Sequence, residues 1–302
     1  MLKPSFSSEE LRAANPVELP TPNKLTASDG VALSYRRYLP ATAPCAAVLF
    51  YHGGGAHSGA GYQHLGNGLQ TQFSTVVYMP DIRGHGNSGS PRGDTSTVRQ
   101  VWADITTFIK HIRAEHPQLP IFLGGHSSGA GLVLNYTSQS NRESVDYYIF
   151  LSPEFGYRSK TARPSLPTPF AKVNIPAFII NAISGGLVLG HFHAVRLNYP
   201  TELLASDKGL VTSYSVNMAN ALTPSSPQQQ FTDLDCAFGL WIGEDDEILL
   251  SSKVLEFADL IIPIQNASKT GSIASAKHLS ILINAHEAIG FWIASLVEGK
   301  NV

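Results

Sequence analysis

Short apolar runs alternate with amphipathic segments along most of the chain. This alternation is typical of strands and helices arranged around a mostly parallel sheet. Runs that are apolar at every position suit strands buried on both faces, whereas strict alternation of polar and apolar residues suits an edge strand. The predicted strands lie at 31–39 (the alternating one), 46–51, 75–80, 120–124, 147–152 and 237–243, and a last strand ends near Ala276.

The segments between the strands carry apolar residues every three to four positions, which is the spacing of one face of a helix. Val101, Ile105, Phe108 and Ile112 follow this spacing in the longest of them. The predicted helices lie at 62–72, about 95–116, 128–140, 251–262 and 278–297.

The alternation breaks between residues 153 and 232. This segment opens with the Pro-rich stretch RPSLPTPFAKVNIP, continues with the apolar, glycine-containing AFIINAISGGLVLGHF, and ends near the polar TPSSPQQQ. Such a pattern predicts an insertion after the sixth strand rather than another unit of the sheet. The chain then divides into a first core part at 1–152, an insertion segment at 153–232 and a second core part at 233–302.

The composition and the net charge exclude several classes of protein but do not indicate one function. The 302 residues are 43% hydrophobic and carry a net charge of −2, so a basic surface for nucleic acid is not expected. The N-terminus lacks the apolar core of a secretory signal peptide, and no apolar stretch approaches the roughly 18–20 residues that span a bilayer. Cys45 and Cys236 form no CxxC or metal-ligand pattern. We therefore expect a cytoplasmic protein and leave its oligomeric state open.

The stretch GGHSSGAGL at 124–132 carries a candidate nucleophile. Gly125-His126-Ser127-Ser128-Gly129 fits the pattern G-x-S-x-G and lies between a predicted strand and a predicted helix, the context that this motif requires. The sharp turn that exposes such a serine leaves no room for side chains two residues before and after it. Only Ser127 has glycine at both positions, so Ser127 rather than Ser128 is the predicted nucleophile. A glycine-rich corner without a catalytic role is the alternative.

A serine that attacks an acyl carbonyl generates an oxyanion, which requires about two N–H donors. The N–H of Ser128 is one predicted donor, because it directly follows the nucleophile and lies at a helix N-terminus. The stretch FYHGGGAHSGAGY at 50–62 follows an earlier strand, and glycines allow its backbone to approach a substrate closely. The loop at 53–55 is therefore the predicted source of the other donor.

The stretch LWIGEDDEIL at 240–249 places four acidic residues directly after a predicted strand. Among them, Asp246 is favoured over Asp245 as the carboxylate that orients a catalytic histidine. Its neighbours in the loop stay open as alternatives.

The order serine, acid, histidine along the chain leaves His278 and His286 as candidates for the base. His278 lies between the last strand and the last helix, where a loop residue can reach the serine, whereas His286 lies two turns into the helix. His278 is therefore the predicted base. His191 and His193 could suggest a metal site, but no third ligand is evident in the sequence. No metal and no other cofactor is expected.

Together these stretches resemble the α/β-hydrolase superfamily, and specifically its monoacylglycerol lipase and lysophospholipase-like branch. The resemblance rests on HGGGAHSGAGY, DIRGHGNSG, GGHSSGAGL, GEDDEIL and KHLS, which occur in the family's order and spread over nearly all of the chain outside the insertion. It implies an eight-stranded, mostly parallel sheet flanked by helices, with a cap inserted after strand six. It also implies that Gly54 supplies the second oxyanion donor, and it supports Asp246 and His278.

The resemblance further implies a serine hydrolase of carboxylic esters, with a monoacylglycerol or a lysophospholipid as substrate. The apolar part of the insertion departs from the family's pattern, so the acyl length and the head group stay open. An apolar cap suits an aliphatic chain and transient contact with membranes or micelles, but packing of the cap on the core explains it equally well. Peptidase, thioesterase or acyltransferase activity on the same triad, and non-catalytic binding of a small molecule, are the alternatives.

Overall fold

The strands form one large sheet and one small sheet. The computed structural model describes residues 7–164, 169–261 and 267–299, and all statements of structure refer to these. The strands are β1 (Asn23–Thr26), β2 (Ala32–Tyr38), β3 (Ala46–Tyr51), β4 (Thr75–Pro80), β5 (Ile121–His126), β6 (Tyr147–Leu151), β7 (Ala171–Val173), β8 (His193–Leu197), β9 (Ser213–Ser215), β10 (Phe238–Gly243) and β11 (Lys269–Ile273).

Helices connect these strands along the chain. They are α1 (Glu9–Ala13), α2 (Gln63–Phe73), α3 (Val98–Glu115), α4 (Ser128–Thr137), α5 (Ile175–Ile183), α6 (Thr201–Ser206), α7 (Val216–Leu222), α8 (Pro227–Thr232), α9 (Ser251–Leu255) and α10 (Ile281–Glu298), with 3₁₀ turns at Tyr157–Ser159 and Glu256–Leu260.

The large sheet has eight strands in the order β1-β2-β4-β3-β5-β6-β10-β11. Its six strands from β4 to β11 run parallel, while β2 is antiparallel to both of its neighbours. This confirms the predicted mostly parallel, eight-stranded sheet flanked by helices. The eighth strand, β1, is one that the hydrophobic pattern did not predict.

Both faces of the large sheet are covered, which explains why its central strands are apolar at every position. On β3, Ala47, Leu49 and Tyr51 join the apolar layer that includes residues of α3 and α4. The alternate residues of the same strand, such as Val48 and Phe50, join the layer that includes residues of α2 and α10. Burial of each large apolar side chain contributes roughly 1.5–3 kcal/mol to folding.

The strand register brings the carboxyl ends of the central strands together. Tyr51 at the end of β3 pairs with Gly125, and His126 at the end of β5 pairs with Leu151 at the end of β6. Leu151 in turn pairs with Trp241 of β10. The loops after β3, β5, β6 and β10 therefore meet at one edge of the sheet, which is where ligands bind in open parallel sheets.

Several helix boundaries differ from the predicted ones for local reasons. Helix α3 begins at Val98 rather than near residue 95, because the side chain of Thr97 accepts a hydrogen bond from the N–H of Gln100 and caps the helix. The helix expected at 251–262 ends as an α-helix at Leu255 and continues as a 3₁₀ turn to Leu260, and its last residue lies outside the described residues.

The last helix, α10, qualifies the expectation about membrane spans. By length and composition it is apolar enough to cross a bilayer, with a mean hydropathy of 1.2 over 18 residues. One face of it, with Leu282, Ile289 and Trp292, packs in the apolar layer on the sheet. Helices in the cores of proteins can pass the same length and composition test, so this one helix is weak evidence for a membrane span.

The insertion segment 153–232 forms the small sheet, in which β8 pairs antiparallel with both β7 and β9. Helices α5 to α8 belong to the same segment. Main-chain hydrogen bonds tie it to the core, from Val211 to the carbonyl of Gly55 over 2.7 Å and from Ser215 to that of Gly93 over 3.0 Å. The segment therefore contacts the loop that follows β3.

Candidate active site

Ser127 lies on a sharp turn between β5 and α4. Its backbone is strained, with φ 55° and ψ −124°, a conformation that non-glycine residues rarely adopt. A Cβ on Gly125 would lie 2.3 Å from the main-chain carbon of Gly129, and a Cβ on Gly129 would lie 2.4 Å from the main-chain oxygen of His52. Neither position tolerates a side chain, so glycine is required two residues before and two residues after Ser127.

Three predicted site residues form one hydrogen-bonded line. His278 lies 2.9 Å from Ser127, measured from Nε2 to Oγ, and 2.8 Å from Asp246, measured from Nδ1 to Oδ2. The other carboxylate oxygen of Asp246 accepts hydrogen bonds from the N–H groups of Ile248 and Leu249. The carboxylate is thus held in place while it orients the imidazole.

Asp246 and His278 each stabilise the charged form of the other. Burial opposes the charge on Asp246, but the charge of His278 and the hydrogen bonds outweigh it and keep the pKa of Asp246 below its usual value. Burial likewise opposes protonation of His278, yet the charge and hydrogen bond of Asp246 raise the pKa of His278 above its usual value. The charges of Glu247 and Glu154 raise it further.

The two alternatives lie away from this line. Asp245 is exposed, and its N–H donates to the carbonyl of Ala276. His286 contacts Gln72 on α2 over 3.1 Å, and its Nδ1 donates to the carbonyl of Ile283. His278 lies in the turn before α10, because that helix begins only at Ile281.

The two residues predicted to supply the oxyanion donors lie next to each other. A Cβ on Gly54 would lie 3.3 Å from Oγ of Ser128, so the backbone of Gly54 lies next to the start of α4. Within the described part of the chain, neither the N–H of Gly54 nor that of Ser128 donates a hydrogen bond. Both are therefore available to an oxyanion on a substrate bound at Ser127.

The amides on either side of Gly54 donate to tyrosines. The N–H of Gly53 donates to the hydroxyl of Tyr62 over 2.6 Å, and that hydroxyl lies 2.9 Å from Nδ1 of His126. The other nitrogen of His126 lies 2.8 Å from the main-chain oxygen of His278. A carbonyl only accepts, so His126 donates from Nε2, and its Nδ1 accepts from Tyr62.

A second series of hydrogen bonds begins at Gly55. The N–H of Gly55 donates to the hydroxyl of Tyr214 from the insertion segment, and that hydroxyl donates to Nε2 of His85 over 2.9 Å. His85 then donates from Nδ1 to the carbonyl of Arg83 over 2.9 Å. Tyr199, also from the insertion segment, donates to the carbonyl of Gly54. The peptide group between Gly54 and Gly55 is thus held at both ends by the insertion segment.

These hydrogen bonds require neutral histidines. Each of His85 and His126 donates from one nitrogen and accepts at the other, which an imidazolium cannot do. Burial lowers the pKa of both to about 3, and it lowers the pKa of His52 to about 4. His52 accepts from the N–H of Ile82 and donates to the carbonyl of Gly53, so it is neutral for the same reason.

Sequence reasoning assigned no role to the tyrosines or to Glu154. Tyr62 ends the glycine-rich stretch after β3, so its position there is the one signal that could have indicated it. Tyr199 and Tyr214 lie in a segment without a recognisable pattern. Glu154 follows β6, and its Oε1 accepts from the N–H of Gly156 over 2.6 Å. Burial raises the pKa of Glu154, and its charge acts on His278.

The parallel sheet, the strained serine turn and the adjoining loops define an α/β-hydrolase. A family model described as serine aminopeptidase, S33 (Hydrolase_4) matches residues 42–265, and the chain belongs to this family. The matched range contains Gly54, Ser127 and Asp246, whereas His278 lies beyond its end.

Several similar relatives are named as lipases. The chain is 27% identical to human monoglyceride lipase over 232 residues, which cover 74% of this chain and 73% of that enzyme. It is 34% identical to a monoacylglycerol lipase of Mycolicibacterium smegmatis over 107 residues, which cover 35% of this chain and 38% of that enzyme. The resemblance to the monoacylglycerol lipase branch is thereby confirmed.

A solved structure shares the fold over most of the chain. A soluble variant of monoglyceride lipase from Saccharomyces cerevisiae, in complex with a substrate analogue, superposes with a TM-score of 0.70 at 18% sequence identity. The match covers 93% of this chain and 99% of the yeast protein. At this identity the likeness shows the fold, and the α/β-hydrolase fold expected from the sequence is confirmed.

Proposed function

We propose that the protein is a serine hydrolase that cleaves carboxylic esters of lipids, through an acyl-enzyme on Ser127. The observation that carries this proposal is the line from Ser127 Oγ through His278 to Asp246, with 2.9 and 2.8 Å between the paired atoms. Nucleophile, base and orienting acid lie at hydrogen-bond distance in the arrangement that acyl transfer requires.

In the first half of the reaction, Nε2 of His278 takes the proton of Ser127 as Oγ attacks the acyl carbon. The carbonyl electrons move to the oxygen, which accepts hydrogen bonds from the N–H groups of Gly54 and Ser128. The charge of Asp246 stabilises the imidazolium. The imidazolium then gives its proton to the leaving alkoxide, the ester bond breaks, and an acyl-enzyme and a free alcohol result.

In the second half, neutral His278 takes a proton from water, and the resulting hydroxide attacks the acyl carbon of the acyl-enzyme. The oxyanion forms again at the same two N–H groups. When it collapses, the bond to Ser127 Oγ breaks, and His278 returns the proton to the serine. The carboxylic acid leaves, and the site is restored without a metal or an organic cofactor.

The names of the relatives favour a monoacylglycerol as the substrate, and a lysophospholipid has the same single acyl ester. The insertion segment adds physical support for a lipid. Ile175, Ile179 and Ile183 on α5 are 62%, 52% and 83% exposed, and Leu187 after the helix is 89% exposed. Adjacent exposed apolar residues of this kind suit contact with an aliphatic chain or with the surface of a lipid aggregate.

Amide hydrolysis is a second candidate, because the family is described as serine aminopeptidase. The same triad cleaves both bonds, so the lining of the site decides between them. His278 protonates the leaving group in both reactions, but the amide anion released by C–N cleavage is a far stronger base than the alkoxide of a glycerol ester, so amide cleavage depends more strongly on this proton. A substrate panel separates the two functions.

The test has two parts. Wild-type protein and Ser127→Ala are treated with a fluorophosphonate probe, and we expect labelling of the wild type alone. The wild type is then assayed on monoacylglycerols and lysophospholipids of graded acyl length and on aminoacyl amides, with Ser138→Ala as a control variant. Equal labelling of both proteins would remove Ser127 from the mechanism, and faster cleavage of aminoacyl amides than of any lipid ester would replace the proposed substrate class.

A further inference from the structure

The hydroxyl of Ser128 is a buried polar group without a use in the fold. Its oxygen is shielded from solvent and has no hydrogen-bond partner in the described part of the chain. The fold normally pairs such groups, because an unpaired buried hydroxyl lowers stability. Retention of an unpaired hydroxyl directly beside the predicted nucleophile therefore indicates a partner that is present only during the reaction.

The hydroxyl lies close to both residues that carry the proposed oxyanion donors. Ser128 is the first residue of α4, and its own N–H is one of these donors. Its Oγ lies 3.3 Å from the position that a Cβ on Gly54 would take, so the hydroxyl faces the backbone that carries the other donor. The hydroxyl of Tyr214 lies on the same side of Gly54, at 3.9 Å from that position, but it already donates to His85.

We propose that Ser128 is a further catalytic residue, whose side-chain hydroxyl donates a third hydrogen bond to the oxyanion. The proposal rests on the proposed function, since it requires attack by Ser127 on an acyl carbonyl. Gly54 and Ser128 then supply three donors from two residues: two main-chain N–H groups and one hydroxyl. The hydroxyl rotates about its C–O bond, so it can follow the oxygen as the carbonyl becomes tetrahedral.

The step leaves the proton of Ser128 in place. The bond between Ser127 Oγ and the acyl carbon forms, the proton of Ser127 goes to His278, and the carbonyl electron pair moves to the oxygen. That oxygen accepts hydrogen bonds from the two N–H groups and from the Ser128 hydroxyl, which keeps its own hydrogen. When the intermediate collapses, the electron pair returns to the carbonyl and the hydroxyl loses its partner.

The variant Ser128→Ala isolates this interaction, because it keeps the main-chain N–H and removes only the hydroxyl. We expect kcat on a short-chain nitrophenyl ester to fall by about tenfold to a hundredfold, the usual range for a hydrogen bond to a charged group, with little change in KM. An aryl trifluoromethyl ketone forms a tetrahedral oxyanion adduct with a serine. Its inhibition constant should rise by the same factor. The thermal midpoint should equal or exceed that of the wild type.

Ser34→Ala is the matched control, because the Ser34 hydroxyl is also buried and unpaired but lies on β2, away from the site. It should change neither kcat nor the inhibition constant. Retention of both quantities within about twofold in Ser128→Ala would overturn the proposal. A fall in kcat without weaker binding of the trifluoromethyl ketone would also overturn it, because the hydroxyl would then act elsewhere.

Two further measurements keep the outcome unambiguous. Ser128→Cys retains a weak donor of similar size and should lie between wild type and Ser128→Ala in kcat, which also covers the case that the alanine variant is unstable. If the cysteine variant is no more active than the alanine variant or fully as active as the wild type, the hydroxyl is not the third donor. Failure of wild-type protein to label with a fluorophosphonate would instead refute the proposed function itself.

Discussion

His126 donates a hydrogen bond from Nε2 to the main-chain oxygen of His278, 2.8 Å away. The residue that precedes the candidate nucleophile therefore holds the backbone of the candidate base. Through its other nitrogen His126 accepts from Tyr62, whose hydroxyl accepts from the N–H of Gly53. One chain of hydrogen bonds thus joins the loop after β3, the serine turn and the histidine loop. A displacement of any one of these three loops would therefore disturb the positions of the other two.

Removal of the Tyr62 hydroxyl should damage both stability and activity. In Tyr62→Phe, the N–H of Gly53 and Nδ1 of His126 both lose their partner in a buried site, which should lower the free energy of unfolding by about 1–3 kcal/mol. Because the loop that carries Gly54 is then less well positioned, we expect kcat to fall by about tenfold. Urea unfolding and kcat on a nitrophenyl ester measure the two effects.

The matched control for this change is Tyr51→Phe. Tyr51 ends β3 and is buried, but its hydroxyl has no partner among the described residues. Its removal should therefore leave stability equal to that of the wild type or raise it, with unchanged kcat. Equal behaviour of the two variants would mean that the chain from Gly53 to His278 does not support the site.

The insertion segment should act on catalysis through Tyr199 and Tyr214. They hold the two ends of the peptide group between Gly54 and Gly55, so loss of their hydroxyls frees the loop that carries a proposed oxyanion donor. In the double variant Y199F/Y214F we expect kcat and the rate of labelling by a fluorophosphonate to fall together, by about tenfold or more. Tyr157→Phe, in which the tyrosine is 78% exposed, should change neither quantity. If only KM fell, while kcat and the labelling rate stayed unchanged, Tyr199 and Tyr214 would not position the loop that carries Gly54.

The exposed apolar residues of the insertion segment predict a lipid-surface effect. Ile183→Ser and Leu187→Ser should not alter folding, because these side chains are 83% and 89% exposed. We expect binding to phosphatidylcholine vesicles to weaken by at least about fivefold in the double variant, with a parallel loss of activity on emulsified monoacylglycerol. Activity on a water-soluble nitrophenyl ester should stay unchanged. Phe291→Ser, which exchanges an apolar residue on α10 that is 68% exposed, is the control, and an equal loss there would argue against a specific docking face.

The parts of the site that sequence reasoning identified are those with local constraints. Ser127 could be separated from Ser128 because glycine is required two residues away on each side, and the clashes at Gly125 and Gly129 explain why. Asp246 and His278 follow consecutive parallel strands, β10 and β11, so the fold brings their loops to one edge. These rules act over a few residues or follow from strand order, and a sequence displays both.

The parts that were missed depend on contacts between distant segments. Tyr199 and Tyr214 meet Gly54 and Gly55 only because the small sheet packs on the core, and tyrosine in a segment without periodicity carries no signal. Strands of three to five residues, such as β7 to β9, are also too short to show a period. His126 directly precedes the predicted nucleophile, but its hydrogen-bond partners Tyr62 and His278 lie 64 and 152 positions away in the sequence, so its role could not be predicted locally.

Glu154 should contribute, after Asp246, to the acid side of the pH profile. Ester cleavage requires neutral His278, so activity falls as the pH drops below the pKa of this histidine, which is raised above its usual value. The negative charge of Glu154 contributes to that rise, and its removal in Glu154→Gln should lower the pKa of His278. The acid limb of kcat/KM then moves to lower pH, while the glutamine oxygen can still accept from Gly156. Glu244→Gln, which removes an exposed charge from the nearby loop, is the control, and a limb that moves to higher pH would contradict the assignment.

The buried neutral histidines should make the protein sensitive to acid. Burial lowers the pKa of His52 to about 4 and that of His85 and His126 to about 3, whereas the unfolded chain has a value of about 6.5. Above about pH 6.5 these histidines are neutral in both the folded and the unfolded protein, and they cost no stability. Below it only the unfolded chain binds protons, so each histidine lowers the free energy of unfolding by about 1.4 kcal/mol per pH unit until its folded pKa is reached.

The variant His85→Gln tests this, because glutamine can donate to the carbonyl of Arg83 and accept from Tyr214 but does not titrate. Urea unfolding of wild type and variant between about pH 5.5 and 4.5 should show a shallower loss of stability in the variant, by about 1.4 kcal/mol per pH unit. His193→Gln, at an exposed histidine of the insertion segment, should follow the wild type. Parallel curves for wild type and His85→Gln would mean that His85 binds a proton equally well in the folded and unfolded protein, which is incompatible with its two hydrogen bonds.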